Sequence, residues 1–214
     1  MYNKLQYISQ GKTSEDQLSN IQQALDAGCR WIQLRHKNAE EEELMTLAEN
    51  VKKLCEQYQS TFIINDNAFI AKAIESDGLH VGLTDISVAE ARAILGENKI
   101  IGGTANTLED VLQRAEEGCN YIGLGPFRFT STKEKLSPIV GLQGYKDIME
   151  VLYQQDIIIP VYAIGGIVAE DIKSIIQAGI YGVAVSGIIT NHSDKKKIVE
   201  QFNTLLYEEV NDIK

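Results

Sequence analysis

The amino-acid sequence predicts an α/β protein built as a single (β/α)8 TIM barrel spanning residues 1–214, and three observations carry that prediction. First, a weak repeat recurs as ALDAGCRWIQLR (24–35), AIESDGLHVGL (73–83), AEEGCNYIGLG (115–125) and IIQAGIYGVAVSG (175–187). Each copy runs from the end of an amphipathic helix through a glycine into a short apolar strand, of the kind that is buried on both faces. Second, the intervening segments read the same way give eight strands alternating with eight helices. At that count right-handed crossovers keep every strand parallel, and the eighth can close on the first. Third, no Pro- or Ser-rich linker divides the 214 residues, 44% of them hydrophobic, so one large core is available. A doubly wound open sheet is the competing architecture. Against it, the first strand-to-helix turn, SQGKTSED, has no G-x-G-x-x-G.

The first strand is expected near 4–8, followed by a helix at 14–27. The second, near 31–35, ends in Gln33, Leu34, Arg35, His36, Lys37 and Asn38 ahead of a helix at 39–58. The third, 61–65, delivers Asn65, Asp66 and Asn67 before a helix at 68–75. The fourth, 79–82, is followed by Thr84, Asp85 and a helix at 87–95, and the fifth, 99–102, by Thr104, Asn106 and a helix at 107–117. The sixth, 121–124, is broken by Gly125 and Pro126. It opens a loop carrying Arg128, Thr130, Ser131, Thr132 and Lys133 ahead of a helix at 142–154. The seventh, 158–163, turns through Gly165, Gly166 and Ile167 into a helix at 169–177; the eighth, 182–186, leads through Ser186 and Gly187 toward a last helix at 193–209. In a barrel all of these strand ends face one mouth.

The formal net charge of −10 argues against a nucleic-acid or anionic-membrane surface, while leaving room for a small anionic ligand at a local basic cluster. Cys29, Cys55 and Cys119 form no C-x-x-C and no even set, which suits a reducing compartment. MYNKLQYISQ holds no long apolar run and no later stretch approaches a spanning length, so a cytoplasmic protein without a signal peptide or anchor is expected.

At the mouth, Arg35 and Lys37 share a strand face, with Gln33 one pleat deeper. Two cations there suit a polyanion, or else pair with the acidic run Glu40 to Glu43. Asp66 and Asp85 end neighbouring strands and can hold Mg²⁺, although both types are also common in turns. The hydroxyls and cations from Arg128 to Lys133 suit a phosphate or diphosphate, or form an ordinary polar turn. The Gly165-Gly166 and Ser186-Gly187 turns follow the seventh and eighth strands, where barrels often bind a phosphate; a purely structural tight turn is the other reading. His80, inside Leu79-His80-Val81-Gly82, reads as a core imidazole, and His192 as surface. No nucleophile–base pair is evident.

Seven ordered motifs, QLRHK (33–37), IINDN (63–67), DGLHVGLTD (77–85), IIGGT (100–104), GPFRFTSTK (125–133), AIGGI (163–167) and GVAVSG (182–187), make the chain resemble the thiamine-phosphate synthase family over nearly its whole length. The resemblance implies a single-domain barrel that joins a hydroxymethylpyrimidine diphosphate to a thiazole phosphate with loss of diphosphate, by a dissociative path assisted by Mg²⁺. It implies that Gln33, Leu34, Arg35, His36, Lys37, Asn65, Thr104 and Lys133 contact the pyrimidine diphosphate, with Arg35, Lys37 and Lys133 as the catalytic cations. Asp66 and Asp85 would be the metal ligands. Thr130, Ser131, Thr132, Gly166, Ser186 and Gly187 would hold the thiazole phosphate, and Arg128 receives no role. Three positions depart from the family: Leu83 stands where a Gln is usual, Thr104 where a Ser is common, and Ser186 where an apolar residue is common. A thiazole tautomerase-like barrel and a catalytically silent phosphate-binding barrel are the alternatives. The first typically uses a His near the loop that here carries Pro126.

Overall fold

The computed structural model describes residues 2–37, 39–129 and 138–208. Within them lies a closed, all-parallel eight-stranded barrel in sequential order. The elements are β1 (Leu5–Ile8), α1 (Ser14–Asp26), β2 (Trp31–Leu34), α2 (Glu41–Gln57), β3 (Thr61–Asn65), α3 (Ala68–Ala73), β4 (Gly78–Val81) and α4 (Val88–Leu95). They continue through β5 (Ile100–Ala105), α5 (Leu108–Glu116), β6 (Tyr121–Leu124), α6 (Gly141–Gln154), β7 (Val161–Ile164), α7 (Ile172–Gln177), β8 (Gly182–Val185), α8 (Gly187–Thr190) and α9 (Lys195–Tyr207). Closure is made by β1 on β8, with Leu5 opposite Val183 and Tyr7 opposite Val185. Among the described residues no helix is long and apolar enough to cross a membrane.

Period-two alternation along the strands divides the core in two. Outward residues such as Tyr7, Ile32, Ile64, Leu79, Ile122 and Val183 pack against the helices in one large cluster. Trp31, Ile63, Tyr121 and Tyr162 form a separate cluster inside the barrel. The helices start where their caps dictate: Thr13 with Asp16, Ser87 with Glu90 and Thr107 with Asp110 are reciprocal capping boxes.

The repeat holds with one correction. Gly28, Gly118 and Gly179 take the left-handed conformation after their helices, but in the second copy that residue is Glu75 (φ 53°). Gly78 instead opens β4, where a Cβ would sit 2.0 Å from the Ile100 carbonyl oxygen. Two strands also shift by more than one residue at a boundary. β7 begins at Val161, after the proline: Pro160 has no N–H to donate to the ladder, and only its carbonyl joins, accepting from Ile122 N–H at 2.9 Å. β5 runs on through Gly102 and Gly103 to Ala105. Those glycines read as a strand end, yet they are interior because a Cβ on Gly102 would lie 2.1 Å from the Tyr121 ring.

Candidate active site at the barrel mouth

β2 and β3 bring the first group together. Gln33 is buried, and its Nε2 donates to Asn65 Oδ1 at 3.2 Å. Its Oε1 is buried with no partner among the described residues. A buried amide oxygen left unpaired beside a mouth is an acceptor waiting for a ligand donor. Arg35 is half-buried at the rim, as a strand end should carry it. Its backbone N–H donates to Ser9 Oγ at 2.9 Å, and its carbonyl accepts from Gln17 Nε2 at 3.3 Å. Burial pulls its guanidinium below the ordinary value, and the Asp66 charge opposes that shift. Ser9, after β1, and Gln17, on α1, thus fix the rim of β2, a contribution of which neither gives a sign in the sequence.

The acidic run after β2 does not pair with Arg35 or Lys37. Glu43 lies 3.9 Å from His36, whereas Lys37 Nζ lies 3.4 Å from Asp66 Oδ2. A cavity of about 360 Å³ opens here, lined by His36, Lys37, Asn65, Asp66 and Asn67 among others. Leu34 also lines it, although this residue is buried in the helix-facing layer.

Asp66 and Asp85 are brought together from the ends of β3 and β4. Asp66 takes the left-handed conformation (φ 65°), and its N–H donates to the His80 carbonyl at 2.9 Å. Asp85 Oδ2 accepts from Gly82 N–H at 2.7 Å. Burial first, then the hydrogen bond and charge of Asp85, push the Asp66 carboxyl up to about 6, with Lys37 opposing. Burial raises Asp85 as well, but the bonds from Asp66 and Gly82 outweigh it and hold that carboxyl below its ordinary value. The pair therefore holds one proton below about pH 6 and loses it above. Among the described residues no three His, Cys, Asp or Glu side chains cluster. Mg²⁺ needs no such cluster, since one or two carboxylates with water and substrate phosphate suffice, and two carboxylates held against each other fit a divalent cation.

On the far side of the mouth, Thr104 lies one residue before the end of β5 with its hydroxyl 3.0 Å from His80 Nε2. Leu83, at the usual Gln position, is exposed. After β7, Gly165 and Gly166 have φ of 100° and 71°, a turn that only glycine adopts without strain at both positions. Ser186 caps α8, a short helix that no periodicity in the sequence announced, and Gly187 is its first residue. A short extra helix after β8 is where barrels commonly seat a phosphate. Arg128 has a place in the structure: Nη1 donates to the Gly166 carbonyl at 2.8 Å and Nη2 to Asp171 at 2.6 Å. It ties the loop after β6 to the glycine turn. Thr130, Ser131, Thr132 and Lys133 lie outside the described residues, as does Asn38.

The cysteines take no part. Burial pushes the Cys29, Cys55 and Cys119 thiols up to about 12, leaving them inert.

Comparison with known proteins agrees with this geometry. A family model described as thiamine monophosphate synthase matches residues 5–189. A thiamine-phosphate synthase of Flavobacterium johnsoniae is 59% identical over 210 residues, 98% of this chain and 99% of that protein. Another, from Flavobacterium psychrophilum, is 58% identical over 206 residues, 96% and 100% of the two chains. Among solved structures, a thiamine phosphate pyrophosphorylase from Pyrococcus furiosus superimposes with a TM-score of 0.83 at 28% identity, covering 95% of each chain.

Proposed function

Because this chain belongs to the thiamine monophosphate synthase family, we infer that the mouth of its barrel joins 4-amino-2-methyl-5-(diphosphooxymethyl)pyrimidine to a thiazole phosphate, releasing diphosphate. The observation that carries this reading is the rim formed by Arg35, Lys37, Asp66 and Asp85. Two cations and an interacting carboxylate pair stand together, with Lys37, Asn65 and Asp66 lining a cavity and Gln33 hydrogen-bonded to Asn65.

In this reading the C–O bond to diphosphate breaks with its electron pair, and the thiazole nitrogen's lone pair forms the new C–N bond. No proton need move and no protein nucleophile is required, in keeping with the inert thiols. Arg35 and Lys37 stabilise the departing diphosphate, a role that the family resemblance extends to Lys133. Asp66 and Asp85 would hold Mg²⁺, which supplies charge neutralisation to the diphosphate when bound. Gln33, Leu34, His36, Asn65 and Thr104 would frame the pyrimidine diphosphate. Gly166, Ser186 and Gly187 would hold the thiazole phosphate together with Thr130, Ser131 and Thr132. A cytoplasmic setting suits the three unpaired cysteines.

Mixing the two phosphorylated precursors with Mg²⁺ and the protein should yield thiamine phosphate and diphosphate in equal amounts. A folded protein that binds thiazole phosphate yet forms neither product would overturn the assignment.

A further inference from the structure

A polar chain crosses the interior of the barrel from the aromatic cluster to the mouth. Gln6 Nε2 donates to the Tyr121 hydroxyl at 3.3 Å, Tyr121 Oη lies 3.0 Å from His80 Nδ1, and His80 Nε2 lies 3.0 Å from Thr104 Oγ1. Gln6, Tyr121 and His80 are all buried. Two glycines make the room: a Cβ on Gly102 would strike the Tyr121 ring, and one on Gly123 would lie 3.2 Å from His80 Cε1. Of this chain only Thr104 enters the proposed site, and the three buried groups behind it have no role there.

We propose that His80 is a positioning residue, held by Gln6 and Tyr121 as its Nε2–H tautomer, so that the Thr104 hydroxyl presents a proton to the ligand. The direction follows from counting hydrogens. Tyr121 Oη receives the Gln6 amide hydrogen, so its own proton points to His80 Nδ1. A neutral imidazole with Nδ1 as acceptor carries its hydrogen on Nε2 and donates it to Thr104 Oγ1. The hydroxyl, having accepted, keeps its hydrogen for the open side. Turning the Gln6 amide over would reverse every bond and would leave a buried NH₂ group without an acceptor. The stated orientation leaves only the Oε1 acceptor unpaired, and buried orphan donors are the rarer fault.

The consequence is a donor on the β5 side of the mouth: Thr104 Oγ1 presents its hydrogen, while Gln33 Oε1 on β2 is a separate acceptor, unpaired among the described residues. A ring nitrogen of an aminopyrimidine, bearing a lone pair, can accept from that hydroxyl, whereas the ring N–H of an oxopyrimidine is opposed there. This consequence rests on the proposed function, whereas the tautomer does not.

Histidine labelled with ¹⁵N tests the tautomer by long-range ¹H–¹⁵N correlation. The chain has three histidines, and H36N and H192N variants assign the signals. His80 should show Nε2 protonated and Nδ1 bare. A protonated Nδ1, alone or together with Nε2, would overturn the proposal whatever the enzyme catalyses. In turnover, Tyr121→Phe removes the donor that sets the tautomer. It should raise KM for the pyrimidine diphosphate about tenfold, leaving KM for the thiazole phosphate within about twofold. In the Tyr121→Phe background, Thr104→Val should add little to that rise, because the two act in one chain. Equal effects on both substrates, or additive ones in the double variant, would count against the relay, and active wild-type protein would show that the function itself stands.

Discussion

At the scale of single residues, the sharpest feature is the unequal pair Asp66 and Asp85. The Asp66 carboxyl is raised from 3.8 to about 6 by burial and by Asp85, so its ionisation in the folded state is unfavourable. For a carboxyl raised in this way, the folded state binds the proton more tightly than the unfolded chain. The contribution to stability is full below pH 3.8 and is lost as pH rises through about 6. Above about pH 6 the metal-free protein therefore carries a local cost, two like charges side by side, that a divalent cation would relieve by neutralising them. The rise in Tm on adding Mg²⁺ should accordingly be small at about pH 5 and grow to a plateau by about pH 8. Asp66→Asn should stabilise the metal-free protein at about pH 8 by on the order of 1–3 kcal/mol and abolish the Mg²⁺-dependent rise. Thermal melts across that range check both. A Tm rise independent of pH, or one retained in the variant, would remove Asp66 from the cation site.

At the scale of elements, the β/α alternation was legible because a glycine after several helices, as at Gly28, Gly118 and Gly179, and a run of apolar residues in each strand are local signals. Strand ends were also legible as a set, since Arg35, Lys37, Asn65, Asp66, Asp85 and Thr104 come to one mouth wherever a parallel barrel closes. What pairs with what was not legible: Lys37 choosing Asp66 over Glu40 to Glu43 depends on the twist between β2 and β3, and the Gln6 to Thr104 chain joins four strands across the barrel. Nor does sequence periodicity reveal a buried cation such as Arg114 on α5. This side chain donates to the carbonyls of Thr104 at 3.2 Å and Gly82 at 2.9 Å, and pairs with Glu117 at 2.7 Å. It grips the ends of β4 and β5 from outside, just behind the Gly82 N–H that holds Asp85. Arg114→Met keeps the stem but strands two carbonyl acceptors in the packing layer, so it should cost roughly 2–4 kcal/mol. Urea denaturation should show a lower midpoint with an unchanged slope. A loss below about 0.5 kcal/mol would mean that water replaces the guanidinium at those carbonyls.

At the scale of the whole molecule, the two ends of the barrel differ in kind. Trp31, the single tryptophan, is fully buried among Tyr2, Tyr121 and Tyr162 at centroid distances of 5.0 to 5.2 Å, largely edge to face. This aromatic cluster lies at the start of β2, opposite the polar mouth, and closes the interior at that end. The first residues stitch it to the last elements: Tyr162 Oη donates to the Asn3 carbonyl at 2.7 Å, Tyr181 Oη to the Tyr2 carbonyl at 2.6 Å, and Lys4 Nζ to the Leu206 carbonyl at 3.0 Å. With β1 paired to both β2 and β8, no strand can leave without opening the ring, and opening the ring wets the tryptophan. Tryptophan emission, far-UV circular dichroism and loss of activity should therefore follow one denaturation curve. Saturating thiazole phosphate should move that curve to higher denaturant, by about 2.7 kcal/mol at a hundredfold excess over Kd, without changing the folded-state emission maximum, because ligand and tryptophan occupy opposite ends. Tryptophan emission shifting before the dichroism signal would show instead that the aromatic end opens independently, and a ligand-induced change in the emission maximum would show that the interior transmits binding from the mouth to the aromatic cluster.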